Sequence, residues 1–210
     1  MSRKIAALYV DKFGCYAGLE NVEAWNESMD ARTYCDDYPV VAHPPCQRWG
    51  RYWHGSTRKP HQFKKGDDGG CFKCALFDVR RVGGVIEHPA DSYAFNFFGL
   101  TRPIRYCGWL NAGDGVGHTC YIEQGNYGHI SRKPTWLYAA HCELPNLNWD
   151  RCEQRIHPVA LERYGYEKAR RIGMCAMIGG KDKTRIRDAT PIAFRDILIA
   201  IARSSTKGSK

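Results

Sequence analysis

A chain of 210 residues, 43% of them apolar, is long enough to bury a core and too short for more than one domain with an appendage. Its 31 Lys and Arg against 22 Asp and Glu give a net charge of +9 and an isoelectric point near 9.1, a balance that favours a polyanionic partner such as nucleic acid. The start, Met1-Ser2-Arg3-Lys4-Ile5, has no apolar signal-peptide core and no run reaches membrane-spanning length, so the ten cysteines read as reduced thiols of a cytoplasmic protein.

In chain order, Ile5 to Val10 predicts a first buried strand. Asp11 to Glu20 is a loop with Gly14 and Gly18, Val22 to Trp25 a second strand, and Met29 to Tyr34 a short helix. Tyr38 to Ala42 is a strand that runs into His43-Pro44-Pro45-Cys46-Gln47. The segment from Arg48 to Gly66 is basic, aromatic and irregular, with Arg48, Trp49, Arg51, Tyr52, Trp53, Arg58, Lys59, Lys64 and Lys65, which suits a loop closing over nucleic acid, its charges meeting phosphates and its rings stacking or wedging against bases. Asp67 and Asp68 can cap a helix running to about Arg81, with Phe72, Ala75, Leu76 and Val79 on one face. Gly83-Gly84 ends it, and Val85-Ile86 is the next strand, leading into Glu87-His88-Pro89.

The second half is less regular. Gly108 to Gly117 is loop-rich, Thr119 to Glu123 and Thr135 to Ala139 read as strands, and Cys142 to Pro158 as connection. Glu162 to Gly173 is polar and basic, and Lys181, Lys183, Arg185 and Arg187 crowd into seven positions. A helix is predicted over Pro191 to Ala202, with 203–210 a disordered tail behind a single domain over 1–202. The strand–helix–strand rhythm predicts an α/β, Rossmann-like, mostly parallel sheet, whose sites lie at the carboxyl ends of strands. Cys46 and Glu87 both fall there.

Two prolines before Cys46 fix φ and remove two backbone donors, so the thiol sits on a loop that keeps its shape without a ladder. A thiol and a carboxyl at neighbouring strand ends can serve one substrate, one as nucleophile and one as acid. Cys71-Phe72-Lys73-Cys74 has metal-ligand spacing, but no second pair follows and both thiols fall on one helix face, so no metal is expected. Gly179-Gly180-Lys181 lacks the rest of a phosphate-loop pattern.

These residues together resemble the cytosine-C5 DNA methyltransferases. Pro44-Pro45-Cys46-Gln47 resembles their nucleophile motif, and Asp68-Gly69-Gly70 with Cys71 to Arg81 resembles the helix after their mobile catalytic loop. Glu87-His88-Pro89 resembles the Glu-Asn-Val motif that binds the target base. Tyr127-Gly128 with Arg132-Lys133 and Thr135-Trp136-Leu137 resembles the motif that crosses the active site, and Thr190-Pro191 with the last helix resembles the C-terminal segment beside the cofactor. The resemblance is densest from about 38 to 90. It implies a reduced fold of the S-adenosylmethionine-dependent methyltransferase type and methyl transfer to C5 of cytosine in DNA. Cys46 would add to C6, Glu87 assist at N3, and Arg132 orient base or phosphate, with the base flipped out of the stack. It also implies S-adenosylmethionine near Asp11, Phe13, Gly14, Gly18, Glu27 and Pro44. Gln47, Arg48, Arg51, Arg58, Lys59, Lys133, Lys181, Lys183, Arg185 and Arg187 would meet DNA.

The pattern departs from that family in places. Only residues 35–43 separate Tyr34 from Pro44, room for one strand, so the adenosine side of the site is expected to be cut down. His88 stands where the family has Asn, Trp49-Gly50 where it has Phe-Ser, and no large recognition domain fits between Lys133 and Pro191. Two alternatives stay open. One is a pyrimidine-C5-modifying enzyme that acts on a free nucleotide or with another one-carbon donor, since cysteine addition at C6 serves those reactions equally. The other is a non-catalytic nucleic-acid-binding protein on a degenerate methyltransferase scaffold.

Overall fold

The computed structural model describes residues 2–55, 62–153, 155–156, 158–172 and 188–207. Arg58, Lys59, Lys181, Lys183, Arg185 and Arg187 lie outside them. A seven-stranded mixed sheet carries helices on both faces, in the order β2-β1-β3-β4-β7-β6-β5. The strands are β1 (Ile5–Leu8), β2 (Val22–Trp25), β3 (Val40–Ala42), β4 (Gly84–Pro89), β5 (Leu110–Asn111), β6 (Gly117–Glu123) and β7 (Pro134–Ala140). The helices are α1 (Cys71–Val82), α2 (Tyr93–Phe97), α3 (Pro158–Ile172) and α4 (Ile192–Arg203).

The α/β class expected from the sequence stands, while the sheet is less parallel than expected. Pairs β1–β2, β1–β3 and β3–β4 are parallel, and β4–β7, β6–β7 and β5–β6 are antiparallel. The cause is the β6–β7 hairpin, which adds its second strand directly to β4. The connection over residues 124–133 is too short for the crossover a parallel pair needs, so the chain returns antiparallel.

Period-2 alternation places the core. Ala6, Leu8, Val40, Ala42 and Ile86 pack on the α1 face, whereas Ile5, Ala7, Val41 and Val85 pack on the α4 face with Phe194 and Leu198. With both faces covered, the central strands are apolar throughout, as a parallel sheet requires. The α1 face is built from Phe72, Ala75, Leu76, Val79 and Val82, and each large side chain buried there contributes roughly 1.5–3 kcal/mol. Ahead of α1, the Asp68 carboxylate accepts from the backbone N–H groups of Gly70, which stands at the helix N-cap, and of Phe72 in the first turn, at 2.9 Å. The end of the helix is set by Gly83-Gly84. Gly84 has φ 136°, and a Cβ there would lie 1.9 Å from the Val40 carbonyl oxygen, so only glycine lets β4 start against β3.

Several expectations shift. Met29 to Tyr34 is a pair of 3-10 turns, Glu27–Met29 and Ala31–Thr33; β5 interrupts the stretch read as loop-rich, and α2 lies where no element was expected. The polar stretch from 162 belongs to α3, which bends at Gly165. The expected disordered tail is, as far as residue 207, packed. Ser205 is buried and donates to the Val82 carbonyl at 2.9 Å, Thr206 N–H donates to the His141 carbonyl at 2.8 Å, and Arg3 donates to the carbonyls of Ser205 and Lys207.

Candidate active site

The β1–β3 and β3–β4 ladders end level, while β4 itself continues to Pro89 against β7. Leu8 pairs with Ala42 and Ala42 with Ile86, so Tyr9, His43 and Glu87 stand in a row one residue beyond. The chain leaves β1 for β2 on one side and reaches β3 on the other. This reversal is a topological switch point, where open α/β sheets bind ligands beyond the strands' carboxyl ends. A cleft of about 720 Å³ opens there, within the range of small-molecule sites.

Five chain segments line it. The loop after β1 brings Asp11, Phe13, Gly14 and Tyr16; the loop after β3 brings His43, Pro44, Cys46 and Gln47; Glu87 comes from β4. Lys133 and residues 188–190 close the far wall, where the Lys133 ammonium donates to the Asp188 and Ala189 carbonyls at 3.0 and 2.7 Å. The Cys46 loop is pinned from behind. The Cys46 carbonyl accepts from the Trp49 and Gly50 N–H groups, and Trp49 is 1% exposed. Its indole N–H donates to Asp68 at 2.7 Å, tying the loop to the start of α1.

Glu87 sits inside a hydrogen-bond network. Its Oε2 accepts from His43 Nδ1 at 3.0 Å, and its Oε1 accepts from the Gln124 amide at 2.9 Å. His43 Nε2 in turn meets the Tyr16 hydroxyl at 2.9 Å, and Gln124 also donates to Thr135 Oγ1 at 2.9 Å. Burial alone would raise the Glu87 pKa. The His43 hydrogen bond and the charges of His43 and Lys133 outweigh it and hold the carboxyl at about 2, ionised. Burial also pushes the Tyr16 hydroxyl well above its usual value, so it stays protonated. His88 is fully buried, edge-on to Phe72 at 5.2 Å between ring centroids. Its ring nitrogens make no hydrogen bond of normal geometry; burial lowers its pKa to about 4, only partly opposed by Glu87 and the Pro45 carbonyl.

Of the residues singled out in the sequence, Asp11, Phe13, Gly14, Pro44, Cys46, Gln47, Glu87 and Lys133 come together at this cleft. Phe13 is 86% exposed, and a Cβ on Gly14 would press on Asp11 at 3.2 Å. Gly18 and Glu27 do not line it; Glu27 is exposed on the 3-10 turn after β2. Arg132 does not line it either, because its Nε donates to the Cys152 carbonyl at 2.9 Å and the next residue, Lys133, takes the place at the cleft. Trp49 belongs to the core rather than to a loop offering rings to bases. Arg48 stacks on Phe63, 3.4 Å from the ring centroid, and Arg51 lies 5.7 Å from the Tyr52 ring.

Sequence reasoning passed over His43, Tyr16 and Gln124. A polar residue placed directly after an apolar strand, in register with Glu87, was the available signal for His43. Tyr16 had none, since its contact depends on how the β1 loop folds back. No helix among the described residues is long and apolar enough to cross a membrane, and none of their His, Cys, Asp and Glu side chains form a metal-binding group of three. No protein-family model, curated protein or solved structure matches the chain.

Proposed function

We propose that this protein transfers a methyl group to C5 of cytosine in DNA, through a covalent bond between Cys46 and C6, with Glu87 acting at N3. The observation that carries the reading is the opening of Cys46 and Glu87 onto one cleft at the switch point of the sheet. Cytosine is a poor carbon nucleophile. A thiolate adding at C6 makes C5 enamine-like, and a group that neutralises negative charge gathering at N3 favours the addition. The Pro44-Pro45 backbone and the buried Trp49 keep the thiol placed for this role. The methyltransferase type of fold is part of the same proposal, supported by the shared direction of β1 to β4 and by helices on both faces.

S-adenosylmethionine fits part of the cleft. Asp11, Phe13, Gly14 and Pro44 would hold it, with the Phe13 ring exposed and the turn at Gly14 packed against Asp11. When bound, it supplies the electrophilic methyl group. Glu27 and Gly18 stand outside the cleft, and β2 is the edge of the sheet, so the ribose side is reduced. That observation favours, as a second reading, a pyrimidine-C5-modifying enzyme that uses a smaller one-carbon donor or a free nucleotide.

Intact-mass measurement after incubation with S-adenosylmethionine and an oligonucleotide containing 5-fluorocytosine tests the proposal. Fluorine at C5 cannot leave as a cation, so the adduct persists. The expected product is protein plus oligonucleotide plus one methyl group. An adduct without methyl points to the second reading, and the absence of both adduct and methylation on ordinary cytosine overturns the proposal.

A further inference from the structure

We propose that His43 is the proton store for Glu87, so that His43 and Glu87 together, and not the carboxyl alone, protonate the ring held in the cleft, with Tyr16 orienting the imidazole. The inference rests on the proposed cysteine chemistry and adds to it the origin of the proton.

Glu87 by itself is poorly suited to give a proton to N3. It is ionised, and both its oxygens are engaged, one by His43 and one by Gln124. The nearest group able to refill it is His43, whose Nδ1 lies 3.0 Å from Oε2, with the two side chains 14% and 11% exposed. In the charged imidazole, Nδ1–H donates to Glu87 and Nε2–H donates to the Tyr16 oxygen. In the neutral Nδ1–H form, the Tyr16 O–H donates to Nε2. A hydroxyl can do either by rotating, so Tyr16 supports the ring in both states without losing its own proton.

The step balances within the site. The sulfur electron pair of Cys46 forms the S–C6 bond, and the C5–C6 π pair moves through the ring toward N3. The Nδ1–H bond breaks as Oε2–H forms, and Oε2–H breaks as N3–H forms. His43 ends neutral and keeps Nε2–H on Tyr16; elimination of the cysteine later returns the proton by the same path. The charged and titratable groups around the pair are Lys133 before β7, His88 beside Glu87 on β4, Cys46 on the β3 loop, Cys15 on the β1 loop, and Arg195 and Asp196 of α4, which act on Tyr16.

The test uses the full chain and an oligodeoxynucleotide carrying tritium at C5 of cytosine: addition of Cys46 at C6 makes C5 basic enough to take up a solvent proton, and loss of tritium to solvent from that saturated C5, before the cysteine leaves, exchanges the label whether or not a methyl donor is present. In the wild type the release rate should fall on the alkaline side, as His43 loses its stored proton. His43→Asn keeps an amide near the Nδ1 position that can still donate to Glu87 but cannot carry an extra proton. It should fold, with a lower melting temperature because Glu87 and Tyr16 lose their partner, leave KM within about twofold, lower kcat by about 10²-fold at temperatures where it is fully folded, and lose the alkaline limb. Tyr16→Phe should shift that limb and lower kcat less. His43→Asn with wild-type kcat and the wild-type alkaline limb would overturn the inference. NMR of the His43 ring provides a readout without turnover, in which the Nδ1–H proton held by Glu87 should exchange slowly with solvent and should exchange fast in Glu87→Ala. Equal exchange in the two proteins rejects the pair even if Cys46 chemistry is found. Slow exchange in a wild type that releases no tritium rejects the methyl-transfer reading while keeping the shared proton.

Discussion

Cys46 and His88 show two ways in which one side chain sets the behaviour of this site. Cys46 lies on a loop whose geometry comes from Pro44, Pro45 and the buried Trp49, not from the thiol. Cys46→Ser is therefore expected to leave the melting temperature within a degree or two and to lower turnover by at least about 10³-fold, since an alcohol at neutral pH is far less ionised than a thiol. Tritium release from C5 at the wild-type rate would remove Cys46 from the mechanism. His88 acts on stability. The unfolded chain takes up a proton there near pH 6.5 and the folded chain only near 4, because burial opposes the charged ring. Between these values acid favours the unfolded state, at a cost to the fold of up to about 3 kcal/mol. Glu87 adds a second, lower window. Its carboxylate stabilises the fold above the usual carboxyl range, and that contribution disappears as the pH drops through about 2. Urea unfolding of the wild type should show stability falling from pH 7 to pH 4, and His88→Asn should lose most of that slope. Equal slopes in the two proteins would show that His88 is not the group responsible.

The element that ties sequence to site is the start of α1. Asp68 accepts from the N–H groups of Gly70, just before the helix, and Phe72, in its first turn, and also from the indole N–H of Trp49, so one carboxylate joins the helix to the Cys46 loop. Asp68→Ala removes a cap and leaves a buried indole donor without a partner. Together these effects should cost about 2–3 kcal/mol, with turnover falling further than the fraction of unfolded protein explains, because the Cys46 loop loses its anchor. Asp68→Asn keeps an acceptor and should recover most of the stability. If both variants match the wild type in urea, the anchor carries no weight. Asp68 was legible in the sequence because capping is local chemistry, as was the buried face of α1, whose spacing follows the helical period. Strands β1 to β4 were legible as apolar runs, and the ends of β3 and β4 pointed to Cys46 and Glu87. The β4–β7 pairing was not, because a hairpin's place in a sheet is set by long-range packing rather than by its own pattern. Trp49 was misread for the same reason. Its sequence neighbours are Arg48 and Arg51, while its neighbours in space are Phe72, Phe97 and Phe98. The fate of Arg132 depended on Cys152, 20 positions away, and local sequence carries no trace of that contact.

At the scale of the whole molecule, the question is whether a net charge of +9 serves DNA or merely accompanies a site for a small ligand. The cleft of about 720 Å³ would take a mononucleotide or a single base flipped from a strand, so its size does not separate the two. Charge does. Basic side chains that contact phosphates release counterions on binding, so affinity falls linearly with salt on a log–log scale, by about 0.7 per contact on single strands and about 0.9 on duplex. The described part of the basic loop is partly committed within the protein: Arg48 stacks on Phe63, and Lys65 lies 4.0 Å from the centre of the Tyr93 ring. Stacked cations of this kind still present their outer edges to phosphate, whereas rings already covered cannot also stack on bases. The expected pattern is thus backbone contact with little preference among bases. Neutralising Lys181, Lys183, Arg185 and Arg187 together should flatten the single-strand salt slope by up to about 3 without altering the order of preferred sequences, because phosphate contacts carry no sequence information. Turnover on dCMP, measured beside the same titration, gives the opposite reading its chance. Weak, salt-insensitive oligonucleotide binding with efficient reaction on dCMP would remove DNA as the substrate and leave Cys46, Glu87 and His43 working on a free nucleotide. Steep salt dependence with no reaction on dCMP would tie the same three residues to a base presented by a strand.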